Sequence, residues 1–258
     1  KIIADKQGRI YLVGEKNHAG NCADFSADPF ANKIYVQKLL ANGQFDTNFN
    51  SGSLTFDFDY GYDAINNKVV NCAISEEYVM GVAIADDNSL LIGARAEVSA
   101  DGNYLATITK LRPDGTFDPV FGNPAGSQIQ AGQRAITVEA CEYCFPSVFT
   151  SFLRLPDGHM LVAGQTTPPD SLTDAIAIRV NATGGVDAGF GSGALGEPGR
   201  ELIDYALPPN GSHESVKGIA LQNGKPVFVG WTRPKDSGDL DITAFRLNDD
   251  RIFWHQFE

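Results

Sequence analysis

The sequence predicts an all-β fold, a β-propeller made of four-stranded antiparallel blades. Three observations predict it. Short apolar runs alternate with Asn-Gly and Asp-Gly pairs along the chain, glycine is plentiful at 27 of 258 residues, and one twelve-residue pattern recurs. That pattern, seen from Lys110 to Phe121, is a basic residue, an apolar residue, a turn, then Phe-Asp-x-x-Phe. It returns from Lys38 to Phe49 and from Arg179 to Phe190, with a worn copy from Arg246 to Phe257.

Each copy opens with an apolar segment, a tight turn and a second apolar segment ending in Gly. The turns are Gln7-Gly8, Asn88-Ser89, Asp157-Gly158 and Asn223-Gly224, and the closing residues are Gly14, Gly93, Gly164 and Gly230. Asn-Gly and Asp-Gly supply the positive φ angles that two-residue hairpins need, so between apolar runs they mark hairpins. A third strand follows at Lys33 to Leu40, Tyr104 to Leu111, Asp174 to Val180 and Asp241 to Leu247. A second turn then leads to a fourth strand expected to carry Phe-Asp-x-x-Phe. Four-strand repeats of about 70 residues are expected of propeller blades. The expected blades are 1–60, 72–125, 146–195 and 213–258, in one domain spanning 1–258 and closed at four blades. A piece of a larger propeller is the alternative.

Two stretches carry a family resemblance. They are Leu155-Pro156-Asp157-Gly158 with Val162-Ala163-Gly164, and Lys110 through Gly122. Apolar run ending in Gly, basic-Leu, Asp-Gly, then Phe-Asp-x-x-Phe-Gly resembles the bacterial delta-60 repeat, a β-propeller-like family. The resemblance extends over nearly the whole chain in four units. It implies a module of a surface or secreted bacterial protein and assigns no chemistry. The chain departs from the pattern in its long loops, its cysteines and its last copy, where Trp254 stands in place of Asp.

Charge narrows the partners. The formal net charge is −12, so nucleic acid is excluded as a partner, because its binding relies on Lys and Arg neutralising phosphates. Anionic membrane surfaces are disfavoured likewise, and no apolar run approaches the roughly 18–20 residues needed to cross a bilayer. No secretory leader is visible, and Lys1 falls inside an expected strand, as a processed or trimmed end would. Cys22, Cys72, Cys141 and Cys144 all lie in irregular connections. Loop cysteines in an acidic, Gly-rich β protein read as disulfides of an extracytoplasmic protein, secreted, periplasmic or on the cell surface. Cys22–Cys72 is the preferred bridge, since both fall on one face near one blade boundary, with Cys141–Cys144 as a small local loop. Four unpaired thiols, or a zinc site lacking the usual two-pair spacing, are the other readings.

The repeated residues read as structure. Lys38 and Asp46, Lys110 and Asp118, and Arg179 and Asp187 stand eight positions apart on strands joined by a tight turn, so each pair is expected to meet as an ion pair. Active sites are rarely copied into every blade. Arg246 lacks its acid and is expected to be solvated or stacked on a ring. The paired positions Phe45 and Phe49, Phe117 and Phe121, Val186 and Phe190, and Phe253 and Phe257 are expected in the inter-blade core.

The turns between strands one and two, and three and four, share one face. The other face receives the long, dissimilar connections, and variable loops on a rigid scaffold are where binding usually sits. There the alternating acids of Asp57-Phe58-Asp59-Tyr60-Gly61-Tyr62-Asp63 stand out. Asp57, Asp59 and Asp63 suit a hard cation such as Ca²⁺, although no cofactor is required and no closing Glu completes an EF-hand. With Tyr60 and Tyr62 they also suit a sugar, through ring stacking and carboxylate hydrogen bonds. A strand end with solvated acids is the plain alternative. His18 and His213 fall on long loops and could serve as ligands or bases, whereas His159 sits in a hairpin turn and reads as structural. Ser192 misses the Gly-x-Ser-x-Gly spacing of a nucleophile elbow by one position. The leading expectation is a non-enzymatic binding or scaffolding module engaging protein or carbohydrate through the long-loop face. The alternative is a propeller hydrolase or lyase acting on polysaccharide.

Overall fold

A computed structural model of the chain describes residues 1–18, 31–56, 58, 62–63, 68–69, 77–97, 104–122, 131–136, 145–167, 172–193, 197–203, 212–234, 239–248 and 251–253. The chain divides into two compact units, Lys1–Ala135 and Ile136–Glu258.

In the first unit, sheet one runs in the order β1 (Ile2–Ala4), β2 (Ile10–His18), β3 (Ala31–Leu39) and β4 (Ser53–Phe56). A two-stranded ribbon follows, β5 (Tyr62–Asp63) with β6 (Lys68–Val69). Sheet two contains β7 (Glu77–Ile84), β8 (Leu90–Glu97), β9 (Tyr104–Leu111) and β10 (Gln133–Ile136). In the second unit, sheet three is β11 (Phe145–Arg154), β12 (Met160–Thr167), β13 (Asp174–Val180) and β14 (Arg200–Ile203). Sheet four is β15 (Ser212–Gln222), β16 (Lys225–Pro234), β17 (Asp241–Asn248) and β18 (Arg251–Phe253). All four are antiparallel meanders in chain order.

Turn chemistry explains the hairpins. In sheet four, Asn223 (φ 53) and Gly224 (φ 77) form the expected two-residue turn between Gln222 and Lys225. The turns of sheets one and three are longer, closing Ala4 against Ile10 and Arg154 against Met160. There an Asp side chain organises the loop: Asp5 Oδ1 accepts from the Gln7 and Arg9 amides at 2.9 and 3.0 Å, and Asp157 Oδ1 accepts from His159 N at 3.0 Å. Such side-chain bonds to the backbone two residues on are what fit Asp to turns.

Strand one carries a bulge at the same place in three sheets, between Val79 and Gly81, Phe149 and Ser151, and Val216 and Gly218. The bulge explains the glycine that closes strand two. A Cβ on Gly164 would lie 2.0 Å from Val148 O, and one on Gly230 would lie 1.9 Å from Ser215 O. In sheet two the matching place, opposite Val79, is held by Ala94 rather than Gly93.

Among the described residues, a core lies between the two sheets of each unit. In the first, Tyr11, Val13, Ile34 and Val36 of sheet one pack with Val79, Leu90, Ile92 and Ala94 of sheet two. In the second, Leu161, Ala163, Ala175 and Ala177 of sheet three pack with Val216, Phe228 and Phe245 of sheet four. Each pair uses the same faces: odd positions of β2 and β12 against the opposite face of the next sheet. In sheet four that leading face is open, with Ile242 93% and Val229 44% exposed.

Two expectations are corrected. Phe-Asp-x-x-Phe is not strand four in the first three sheets, where β4, β10 and β14 begin after it. The acid makes it a turn: Asp46, Asp118 and Asp187 each accept, through Oδ1, an amide two residues on at 3.1, 3.1 and 3.0 Å. Only the leading position touches the ladder, by single bridges of Leu39 to Phe45, Leu111 to Phe117 and Val180 to Val186. Consequently the two aromatic positions differ. Phe49, Phe121 and Phe190 are buried, each worth roughly 1.5–3 kcal/mol, whereas Phe45 is 60% exposed. Phe117 is partly buried and packs edge-on against Phe56. The side chains of Phe253 and Phe257 lie outside the described residues.

Candidate functional site

At the short-turn end of the sheets stand the repeated charges. Lys38 Nζ lies 3.0 Å from Asp46 Oδ2, Lys110 Nζ 2.8 Å from Asp118 Oδ2, and Arg179 Nε 2.7 Å from Asp187 Oδ2. Lys38 also donates to Pro113 O at 2.7 Å, tying sheet one to a turn of sheet two, and it lies over the Tyr11 and Phe49 rings. Lys110 gains Asp87 as a second partner at 2.7 Å. His159 Nε2 approaches Asp187 at 3.3 Å, keeping this histidine in the structural group. Burial pushes the three carboxyl groups up, but the hydrogen bonds and charges of their partners outweigh it and hold all three below the ordinary value. Burial pushes the Tyr11 hydroxyl up to about 12. Arg246, without an acid, donates to Gln222 Oε1 at 3.3 Å. The arrangement staples each hairpin and offers no open chemistry.

The opposite end carries the long connections. Asp57, Asp59 and Tyr60 lie outside the described residues, as do Cys22, Cys72, Cys141 and Cys144 and with them the bridges Cys22–Cys72 and Cys141–Cys144. Tyr62 and Asp63 form β5, opposite Val69 and Lys68. His18 and His213 are not in loops: strand pairing extends β2 to His18, opposite Ala31, and β15 begins at Ser212. His213 pairs with Arg233, and its Nδ1 accepts from Thr173 N at 3.3 Å. Among the described residues no group of three His, Cys, Asp or Glu is placed to hold a metal.

Two glutamates draw attention at this end. Glu77 and Glu214 are each fully buried. Both stand two residues before the strand-one bulge, opposite Ala96 and Thr232 respectively. Each lies where its sheet meets the preceding one in the same unit. Glu77 Oε1 accepts from Phe58 N at 3.4 Å. Glu214 Oε1 accepts from the Ser212 hydroxyl and from Thr232 Oγ1 at 3.4 Å, while its own amide donates to Thr173 O at 2.7 Å. Thr173 Oγ1 is 3.1 Å from Thr167 Oγ1. So His213 and Glu214 share Thr173 through its backbone, but alternation along the strand sends their side chains to opposite faces.

One more strand-two position differs from sheet to sheet. Immediately past the residue opposite the bulge stand Arg95, Gln165 and Trp231, and Glu15 occupies the same place in sheet one. Glu15 Oε1 accepts from Val79 N at 2.6 Å. Arg95 lies between two rings, its Cζ 4.5 Å from the Tyr78 centroid and 4.9 Å from that of Tyr104. Trp231 sits beneath Lys217 Nζ at 5.8 Å.

Glu77, Glu214 and Arg95 were missed in the sequence. A usable signal existed: acids or cations inside apolar strand segments, just before or after the bulge glycine, where the repeat otherwise places small or apolar residues.

Comparison with known proteins adds the following. The family described as "Domain of unknown function (DUF5122) beta-propeller" matches residues 155–190. This supports a β-propeller repeat, the coarser form of the resemblance read above. No curated protein matches the sequence. Among solved structures, the chain is similar to Cellvibrio cellulosa alpha-L-arabinanase complexed with arabinohexaose, at 13% identity and a TM-score of 0.41, covering 96% of this chain and 72% of that one. A mutant of the same arabinanase gives 14% identity and 0.39 over the same shares. At these values the likeness is one of coarse architecture. Both structures are of an enzyme, and the non-enzymatic binding or scaffolding module expected from the sequence is not carried further.

Proposed function

We propose that the chain is a propeller hydrolase or lyase acting on polysaccharide at the long-connection face. The observation that supports it is the pair of buried glutamates. A carboxyl removed from water is costly unless something is gained, and a carboxyl in a low-dielectric setting can hold or take a proton near neutral pH. Glu77 and Glu214 occupy the same place in the repeat, so the fold supplies one such group in each unit. Sheet three has Ser147 two residues before its bulge, so a glutamate there is not a general element of the sheet. In this reading each glutamate is a candidate general acid or base within its own unit, and the aromatic and cationic side chains nearby receive sugar rings. The partner is a carbohydrate, and the compartment is extracytoplasmic, where such polymers are met.

The test is incubation with a panel of plant and bacterial polysaccharides, following reducing ends for hydrolysis and ultraviolet absorbance of unsaturated products for elimination. Turnover of at least one polymer is expected, falling about a hundredfold or more in Glu77→Gln or Glu214→Gln. Inactivity on the whole panel, or full turnover in both folded variants, would refute the reading.

A further inference from the structure

We propose that Arg95, bracketed by Tyr78 and Tyr104, binds the carboxylate of an isolated uronic acid unit on an otherwise neutral glycan. The sugar part of this inference rests on the polysaccharide reading; the anionic part rests on the site itself.

Three strands build the site. Tyr78 of β7 lies directly opposite Arg95 of β8, and Ala106 of β9 lies on its other side. Tyr104, two residues before Ala106, therefore projects from the same face. Small Ala106 leaves room for the guanidinium to reach the Tyr104 ring. Both rings lie within 5 Å of Arg95 Cζ. Arg95 is half-buried, and its Nε is shielded from solvent without a hydrogen-bond partner among the described residues. Among those residues it also forms no ion pair, unlike the repeated cations Lys38, Lys110 and Arg179.

A planar guanidinium held by rings loses little further freedom when it binds, and its N–H fork matches a carboxylate in two-point geometry. The fold does not require this trio, because other sheets manage with Glu15, Gln165 or Trp231 at the same place. A prepared cation without a counter-charge among the described residues, in a chain of net charge −12, points to an anionic ligand. The same net charge repels a continuous polyanion, which selects a sparse uronate on a neutral backbone.

The experiment is calorimetric titration of the full chain with a xylo-oligosaccharide bearing one glucuronic acid, against the same oligosaccharide without it. The acidic ligand is expected to bind about tenfold tighter or more. Arg95→Gln should abolish the preference at an unchanged melting temperature. Arg95→Lys, which keeps the charge and loses the fork, should fall between, and it also serves if the Gln variant does not fold. Equal affinity for both oligosaccharides in the wild type would overturn the proposal, as would a preference surviving in both variants. Tighter binding of polygalacturonate at low salt would overturn the isolated-charge element. Titration needs no turnover. A uronate preference in a protein inactive on every polysaccharide would therefore sink the enzymatic reading and leave this site standing. Turnover of unsubstituted glycans without a uronate preference would do the reverse.

Discussion

Removing the Lys38 ammonium should be the most damaging of four equivalent changes. Lys38 and Asp46 have side chains only 2% and 8% exposed. The ammonium serves Asp46 at 3.0 Å and Pro113 O at 2.7 Å at once. Lys38→Met keeps the stem packed against Tyr11 and Phe49 but strands a buried carboxylate and a carbonyl. Breaking a buried pair from one side costs about 3–5 kcal/mol. In Arg179→Met the partners are 16% and 20% exposed, water can reach the orphaned Asp187, and the cost should be about 1–2 kcal/mol. Lys110→Met should fall between, since its second partner Asp87 is 52% exposed. Arg246→Met loses one exposed bond to Gln222 and should cost less than about 0.5 kcal/mol. The assay is urea unfolding at neutral pH, followed by far-ultraviolet circular dichroism. Tryptophan fluorescence is a useful companion: Trp231 and Trp254 both belong to the second unit, so it reports that unit alone. Lys38→Met should shift the dichroism transition of the first unit. The double variant Lys38→Met/Asp46→Leu, which removes the stranded charge, should recover a large share of the loss. A cost for Lys38→Met no greater than for Arg246→Met would refute the argument from burial.

Two further outcomes follow from the same geometry. Asp46, Asp118 and Asp187 have depressed pKa values in the fold, so their contribution is full above the ordinary carboxylate value of 3.8 and is lost as pH falls through the folded values. Burial pushes Lys110 down but its two aspartates outweigh that and raise it, so its contribution is full below 10.5 and is lost as pH rises through the folded value. Unfolding midpoints against pH should show both limbs, and replacing the three aspartates by Asn should flatten the acid one; an acid limb of unchanged steepness would count against the linkage. Gly164→Ala and Gly230→Ala should each cost about 1–3 kcal/mol or more by overpacking a carbonyl, while Gly14→Ala, with open space around its would-be Cβ, should be near neutral. Equal melting temperatures for all three would remove the bulge as the reason for the glycine.

The repeat made most of the fold legible. Hairpin turns, strand three and the basic–acidic pairs follow from local rules that act within a dozen residues. Strand four did not, because Phe-Asp-x-x-Phe alternates like a strand while Asp46, Asp118 and Asp187 turn the backbone through bonds to amides two residues on. Pattern reading weighed the aromatics above the acid. The histidines were misplaced for a related reason: β2 and β15 run past their apolar segments into polar sequence, held there by pairing with β3 and β16. Sequence periodicity marks the buried part of a strand, and backbone pairing can outlast it.

Repetition itself separates scaffold from work in this chain. A residue that serves to build the sheets recurs from sheet to sheet, as Lys38, Lys110 and Arg179 do with their acids in three of the four, and its chemistry is spent on neighbours. The position shared by Glu15, Arg95, Gln165 and Trp231 keeps the same backbone pairing while its side chain changes charge, size and aromaticity. Glu15 is engaged by Val79 N, but Arg95 is poised between rings with its fork uncommitted among the described residues. Glu77 and Glu214 show the same property one strand away: two sheets carry a buried acid at a place where Ser147 suffices in a third. A fold that tolerates four side chains at the strand-two position has no structural reason to choose a stacked cation there. In the proposed reading the cost of these groups in desolvation is offset by binding at the long-connection face, and substitution of Arg95 there should change binding while leaving the unfolding midpoint in place.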